Sequence, residues 1–172
     1  MNTDKIICIF GGAGFVGRYV TQELARAGYR IKIATRIPES AYELKTYGNV
    51  GQITPFLCNY NDPKEIQAAI KGCYGVINLI GILFEKGKNN FKRAHIEIPQ
   101  TIASACKKEG VKKFIHVSSL GVNKAQSRYA RSKAQGEEVI RKEYPAVTIM
   151  RPSVIFGAGD NFFNMFSKLA VF

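Results

Sequence analysis

Apolar positions along the chain follow two alternating patterns: short continuous runs, and longer stretches in which Val, Leu or Ile returns every three or four residues. A short run bounded by turn residues reads as a buried strand, and a three-to-four repeat reads as an amphipathic helix. Residues 5–10 open the series as a strand. Residues 14–27 predict a helix with Val16, Val20 and Leu24 on one face, and Gly28 stands where a helix-terminating glycine belongs. A second strand follows through Ile31 and Ile33 to Arg36. Pro38 then breaks regularity, a short helical piece is predicted over 40–47, and a third strand over 52–57. Asp62-Pro63-Lys64-Glu65 predicts a helix start, with Asp62 as cap, Pro63 in the first turn and Glu65 closing a capping box.

Residues 74–80 predict a fourth strand. Phe91, His95, Ile98, Ile102 and Ala105 keep helical spacing, with Pro99 inside the pattern to kink the helix or mark where its regular part begins. A fifth strand is expected over 113–117, a helix over 125–144 and a sixth strand over 147–151. Six strands joined by right-handed crossovers predict an α/β fold: a doubly wound parallel sheet in three α/β/α layers, in the order 3-2-1-4-5-6. Ligands then belong at the carboxyl ends of the strands.

The chain has 172 residues, 46% of them hydrophobic and 22% charged, which fits one globular domain and excludes a disordered or collagen-like chain. A formal net charge of +12 favours an anionic partner such as a phosphorylated small molecule, phospholipid or nucleic acid. No RNA-recognition motif, zinc knuckle or aromatic stacking run accompanies it, which argues against nucleic acid. Cys8, Cys58, Cys73 and Cys106 lie too far apart for a Cys-x-x-Cys pair and read as free, buried thiols. Neither His95 nor His116 has a carboxylate at ligand spacing, so both read as packing residues and no metal is expected. The N-terminal run is too short for a secretory signal and no run approaches a membrane span, so a cytoplasmic setting is expected.

Gly11-Gly12-Ala13-Gly14-Phe15-Val16-Gly17 follows the first predicted strand and opens the first helix. Glycines at 11, 14 and 17 permit a tight turn, close approach of backbone to a pyrophosphate, and close packing of helix on strand. The following N–H groups offer an anion site. The second strand ends Ala34-Thr35-Arg36 with no carboxylate before Glu39, so nothing there would repel an adenosine 2'-phosphate, and Arg36 can clamp one. NADP(H) is therefore expected over NAD(H), with Arg18 as a second positive charge near the phosphates.

Tyr129-Ala130-Arg131-Ser132-Lys133, preceded by Val117-Ser118-Ser119, completes a resemblance to the atypical and extended short-chain dehydrogenase/reductases, a Rossmann-type family. A tyrosine is a poor base near neutrality until a nearby ammonium lowers its pKa, and an i, i+4 pair shares one helix face. The resemblance implies that Tyr129 transfers a proton, Lys133 tunes it and holds the nicotinamide ribose, and Ser119, with Ser118 next, binds the substrate oxygen.

Asn78-Leu79-Ile80-Gly81, Ile98-Pro99-Gln100, Phe114-Ile115-His116-Val117-Ser118 and the segment Arg151-Pro152-Ser153-Val154-Ile155-Phe156-Gly157 make the chain similar to the NADPH-binding accessory subunits of respiratory complex I and their bacterial epimerase/dehydratase-like relatives. That similarity implies that Leu79, Ile80 and Gly81 flank the cofactor, that Pro152 and Ser153 lie near the nicotinamide, and that Asn59 sits by the adenine. It implies a largely structural cofactor and a peripheral place on the inner face of an energy-transducing membrane. The alternative is an active NADP(H)-dependent oxidoreductase or epimerase/dehydratase acting on a carbonyl or hydroxyl substrate such as a sugar nucleotide. Residues 1–157 would form the dinucleotide-binding core. Residues 158–172 would begin a C-terminal substrate region that is otherwise missing, their apolar Phe162, Phe163, Phe166 and Leu169 covered by a partner, by a second copy or by folding back on the sheet.

Overall fold

A computed structural model describes residues 2–87 and 89–160. The apolar stripe 162–169 falls outside them. Six strands form one sheet: β1 (Ile6–Phe10), β2 (Arg30–Thr35), β3 (Ile53–Leu57), β4 (Gly75–Asn78), β5 (Lys113–Val117) and β6 (Thr148–Met150). Every neighbouring pair is parallel and the order is β3-β2-β1-β4-β5-β6, as the alternation of runs and repeats predicts.

The helices α1 (Phe15–Arg26), α2 (Pro63–Ile70), α3 (Ile98–Lys108) and α4 (Arg128–Glu143) make the crossovers. Strand periodicity divides the core between the two sheet faces. From β1, Cys8 and Phe10 join Ile66, Ile102, Phe114 and Ile140 under α2, α3 and α4. Ile7 and Ile9 join Ile31, Ile33 and Leu44 on the face covered by α1 and two 3₁₀ turns, Pro38–Ala41 and Glu43–Tyr47. Each such aliphatic or aromatic side chain removed from water contributes about 2 kcal/mol. All four cysteines are free and buried.

Three local features depart from the sequence reading. On α1 the fully buried positions are Gly17, Thr21 and Ala25, while Val16, Val20 and Leu24 are half-buried beside them. Small residues win because the helix lies so close to the glycine turn that only they fit beneath it.

At α2, Asp62 caps as expected, accepting from Lys64 N–H at 2.8 Å. Glu65, however, reaches past the cap to accept from Asn59 N–H at 2.7 Å, so the reciprocal box is absent. The Asp62 N–H is already bonded to Asn59 C=O and has no need of it.

Pro99 has a sharper effect than a kink. It sits in the first turn of α3, directly after a π-helical turn over Arg93–Glu97 whose wider loop closes from Ile98 N–H to Arg93 C=O. Proline has no N–H to give the His95 carbonyl, and the helix widens at that point. The carbonyl then faces α4 at Gly136, where a Cβ would overlap the His95 oxygen.

Candidate dinucleotide site

The site begins where β1 ends. Gly11 holds φ +79, a left-handed conformation open to glycine at little cost, and a Cβ there would press on the Leu79 and Ile80 backbone at 3.1–3.2 Å. Gly14 N–H closes the turn on Gly11 C=O at 3.1 Å. A Cβ on Gly17 would overlap the carbonyls of Gly11 and Gly12, so the glycine is what lets α1 rest on the turn. Gly14 caps α1 without a side chain and no acid occupies the first turn, so the leading N–H groups of the helix are unclaimed by side chains. By contrast, α2 and α4 are capped by Asp62 and Ser127. An uncapped, positive helix end beside a cradle with no Cβ suits a pyrophosphate.

Two adjoining hollows at the carboxyl ends of the strands share the wall Leu79–Ile82 and together form one groove. The first, about 420 Å³, contains Gly11, Gly14, Arg36 and Tyr60, with Arg93 from the π-helical turn. Arg36 follows β2, exposed, with its guanidinium 5.6 Å from the Tyr60 ring centroid. The Tyr60 hydroxyl donates to Ala34 C=O at 2.7 Å, and burial first, then the Cys58 thiol, push its pKa up to about 12.

Three residues expected here stand apart. Arg18 lines a separate hollow on the far side of Gly14 and pairs with Glu43 at 3.2 Å. Asn59 turns its amide oxygen to Asn61 N–H at 3.1 Å and lies outside the groove wall, which its neighbour Tyr60 occupies. Phe15 likewise faces Tyr19 and Gly157.

The second hollow, about 540 Å³, brings together Val16, Ser118, Ser119, Tyr129, Lys133, Pro152 and Ser153. Lys133 is 4% exposed and donates to Val117 C=O at 3.0 Å. Burial drives its pKa down to about 8 against the opposing pull of Glu137. Tyr129 stands edge-on to His95 and Phe91, at 5.4 and 5.9 Å between ring centroids.

His95 ties the two sides of the groove together. Its Nε2 accepts from Ile82 N–H at 3.1 Å, so the ring proton sits on Nδ1 and is donated to Ser132 Oγ at 2.8 Å. Ser132 in turn donates to Tyr129 C=O at 2.7 Å. Burial, and then Lys133, lower the His95 pKa to about 4, which keeps it neutral in this role. His116 is buried too, its Nδ1 3.1 Å from Asn78 Nδ2, while Asn78 Oδ1 accepts from Ile80 N–H and fixes the shared wall.

Arg151, the residue after β6, lines a separate hollow with the buried Glu137 and grips it with two hydrogen bonds, Nε to Oε1 at 2.9 Å and Nη2 to Oε2. The ring cluster, Tyr60 and the Glu137–Arg151 pair were absent from the sequence reading. An aromatic at the end of β3 and an acid one turn beyond Lys133 were the available signals.

Comparison with known proteins agrees with this geometry. The chain is 39% identical over 165 residues to the mouse NADH dehydrogenase [ubiquinone] 1 alpha subcomplex subunit 9, mitochondrial, covering 95% of this chain and 44% of that protein. It is 33% identical to the NADH-ubiquinone oxidoreductase 40 kDa subunit of Neurospora crassa, covering 94% and 43%. The chain thus spans less than half the length of these relatives. Among solved structures, UDP-glucuronic acid 4-epimerase from Bacillus cereus, in complex with NAD, superposes with a TM-score of 0.73 at 20% identity, over 90% of this chain and 59% of that one. Triphenylmethane reductase from Citrobacter, complexed with NADP(H), gives 0.73 at 18%, over 96% and 55%. Residues 11–160 match the NAD(P)H-binding family model, and the chain belongs to that family.

Proposed function

We propose that this chain is the NADP(H)-holding domain of a protein of the complex I accessory-subunit type, in which the nucleotide chiefly stabilises the fold. The observation that carries the nucleotide assignment is Arg36 at the end of a β2 without a carboxylate, opening on the same hollow as the glycine turn. A guanidinium fork at that place favours a 2'-phosphate, and Arg93 adds a second cation. The main chain of Gly11, Gly14, Phe15, Val16 and Gly17 would receive the pyrophosphate. Leu79, Ile80, Gly81, Pro152 and Ser153 would flank the nicotinamide, and Lys133 would hold its ribose. The likeness to mitochondrial complex I subunits supports membership of a membrane-bound assembly. No helix among the described residues is long and apolar enough to cross a bilayer, so this domain would sit peripherally. Leu83, Leu120 and Val154 are exposed around the nicotinamide end, an apolar rim suited to cover by a partner or by a C-terminal region beginning near residue 158.

The second reading, an active oxidoreductase or epimerase/dehydratase, is favoured by one observation: Ser119, Tyr129 and Lys133 share a hollow. When bound, the nicotinamide would supply or accept hydride. Tyr129 would give or take the proton of a substrate oxygen held by Ser119, with the Lys133 ammonium beside it.

One experiment separates the readings. Nucleotide released from purified protein is identified by mass, and turnover is compared in Tyr129→Phe. NADP(H) that stays bound without turnover supports the structural role, whereas turnover lost in Tyr129→Phe with unchanged binding supports catalysis. Release of NAD(H) overturns the Arg36 assignment. Arg36→Ala is expected to weaken NADPH binding roughly ten- to hundredfold, by loss of a charge-assisted contact, and to leave NADH binding unchanged.

A further inference from the structure

Because all six strands are parallel, their amino ends and the carboxyl ends of the crossover helices share one end of the molecule, opposite the groove. That end is crowded with cations. Strand starts contribute Lys5, Arg30, Lys112 and Lys113, and backbone bonds set these starts side by side: Arg30 N–H to Lys5 C=O, and the N–H groups of Lys112 and Lys113 to Tyr74 C=O. Helix ends contribute Lys71, Lys107, Lys108 and Lys142, together with Arg26 and Arg141. All but the half-buried Lys5 are exposed, and of them only Arg26, with Glu23, forms an ion pair among the described residues.

Complementing the helix dipoles does not account for them. Each helix carboxyl end carries the equivalent of about half a negative charge, so the four crossover helices together call for about two cations. The acids at this end, Asp4, Glu23, Glu109 and Glu143, are too few to balance the remainder; Glu23 already pairs with Arg26, and Glu109 and Glu143 accept from Gln67 and Gln100. Seven of the ten cations are lysines. Lysine is a hydrated point charge suited to a diffuse anionic plane, whereas phosphodiester recognition in nucleic acids favours arginine forks and stacking aromatics.

We infer that the amino-terminal end of the sheet is a docking surface for an anionic lipid bilayer. It would hold the domain with its nucleotide groove turned away from the membrane. This inference stands apart from the question of turnover, since none of its residues lies on the groove.

Vesicle flotation tests it. The full chain with NADPH is mixed with vesicles of phosphatidylcholine alone or with about 30% phosphatidylglycerol. Flotation with the anionic vesicles only, weakening as salt rises, is expected. Each lysine at such a surface is worth about fivefold in partitioning, so Lys107→Gln/Lys108→Gln/Lys112→Gln should bind about a hundredfold more weakly. Lys64→Gln/Lys86→Gln/Lys124→Gln, which removes the same charge from the groove end, should bind nearly as well as the parent. Retained NADPH binding and melting temperature verify that both variants fold. Equal losses in the two variants, equal binding to neutral vesicles, or binding to polyuridylate without vesicle binding at physiological salt would each overturn the inference.

Discussion

Replacing Lys133 by methionine should make the nucleotide-free protein more stable while damaging its site. Lys133 is 4% exposed, and its pKa falls from the ordinary 10.5 to about 8, with burial as the main cause. That difference corresponds to about 3 kcal/mol spent on keeping an ammonium out of water near neutral pH. Methionine has similar bulk and no charge. It also forfeits the bond to Val117 C=O, worth about 1 kcal/mol, which leaves a net gain of about 2 kcal/mol at pH 7, or roughly 5 °C in melting temperature.

The pH dependence has a definite sign. Below pH 8 the lysine is charged in both folded and unfolded chains, and the penalty is constant. Between about 8 and 10.5 the folded protein has released the proton and the unfolded chain still holds it, so wild-type stability rises relative to the variant. The advantage of methionine should therefore vanish across that window. Thermal melts of both proteins from pH 7 to 10.5, without nucleotide and with saturating NADPH, read all of this. The NADPH-induced rise in melting temperature should shrink in the variant. A variant that melts below wild type at pH 7, or a difference that stays flat with pH, would refute the reasoning.

Two other substitutions probe the scaffold. Gly17→Ala places a methyl group against the carbonyls of Gly11 and Gly12, and should cost a few kcal/mol and abolish NADPH binding by calorimetry. Burial alone would raise the Glu137 carboxyl pKa, but the two hydrogen bonds from Arg151, with the charges of Arg151 and Arg141, outweigh it and hold the group below 4.5. Its stabilising contribution is therefore present above that pH and lost as pH falls through the lower folded value. Glu137→Gln should destabilise by about 2 kcal/mol near neutrality, less than a fully buried pair costs because Arg151 can turn to water, and should flatten the acid limb of the stability curve.

The sheet was readable because one signal repeats through the chain. Runs such as Ile6-Ile7-Cys8-Ile9-Phe10 are buried on both faces, and only a parallel sheet with helices on each side buries both. The expected strands over 74–80 and 147–151 were too long at their ends. Apolarity persists at Leu79 and Ile80 because they wall the groove, so the hydrophobic pattern runs on after pairing has stopped. The glycine turn was readable for a steric reason that sequence spacing carries directly: positions 11 and 17 tolerate no Cβ.

The far side of the groove was only half readable, because its arrangement depends on what the chain lacks at one position. Pro99 cannot donate to the His95 carbonyl, and the resulting π-helical turn exposes that oxygen to Gly136 on α4. The same widening leaves the His95 ring between Ile82 and Ser132, with both nitrogens engaged. From sequence alone His95 is one apolar-face residue among several, and a packing role is the natural reading. Its burial bears out that reading, yet its bonds go further, joining the loop after β4 to the helix that carries Tyr129 and Lys133. The proline after Ile98 and the glycine after Gln135 are thus two halves of one contact, separated by 37 residues. No local pattern links such a pair, because the complementarity exists only once α3 and α4 lie against each other.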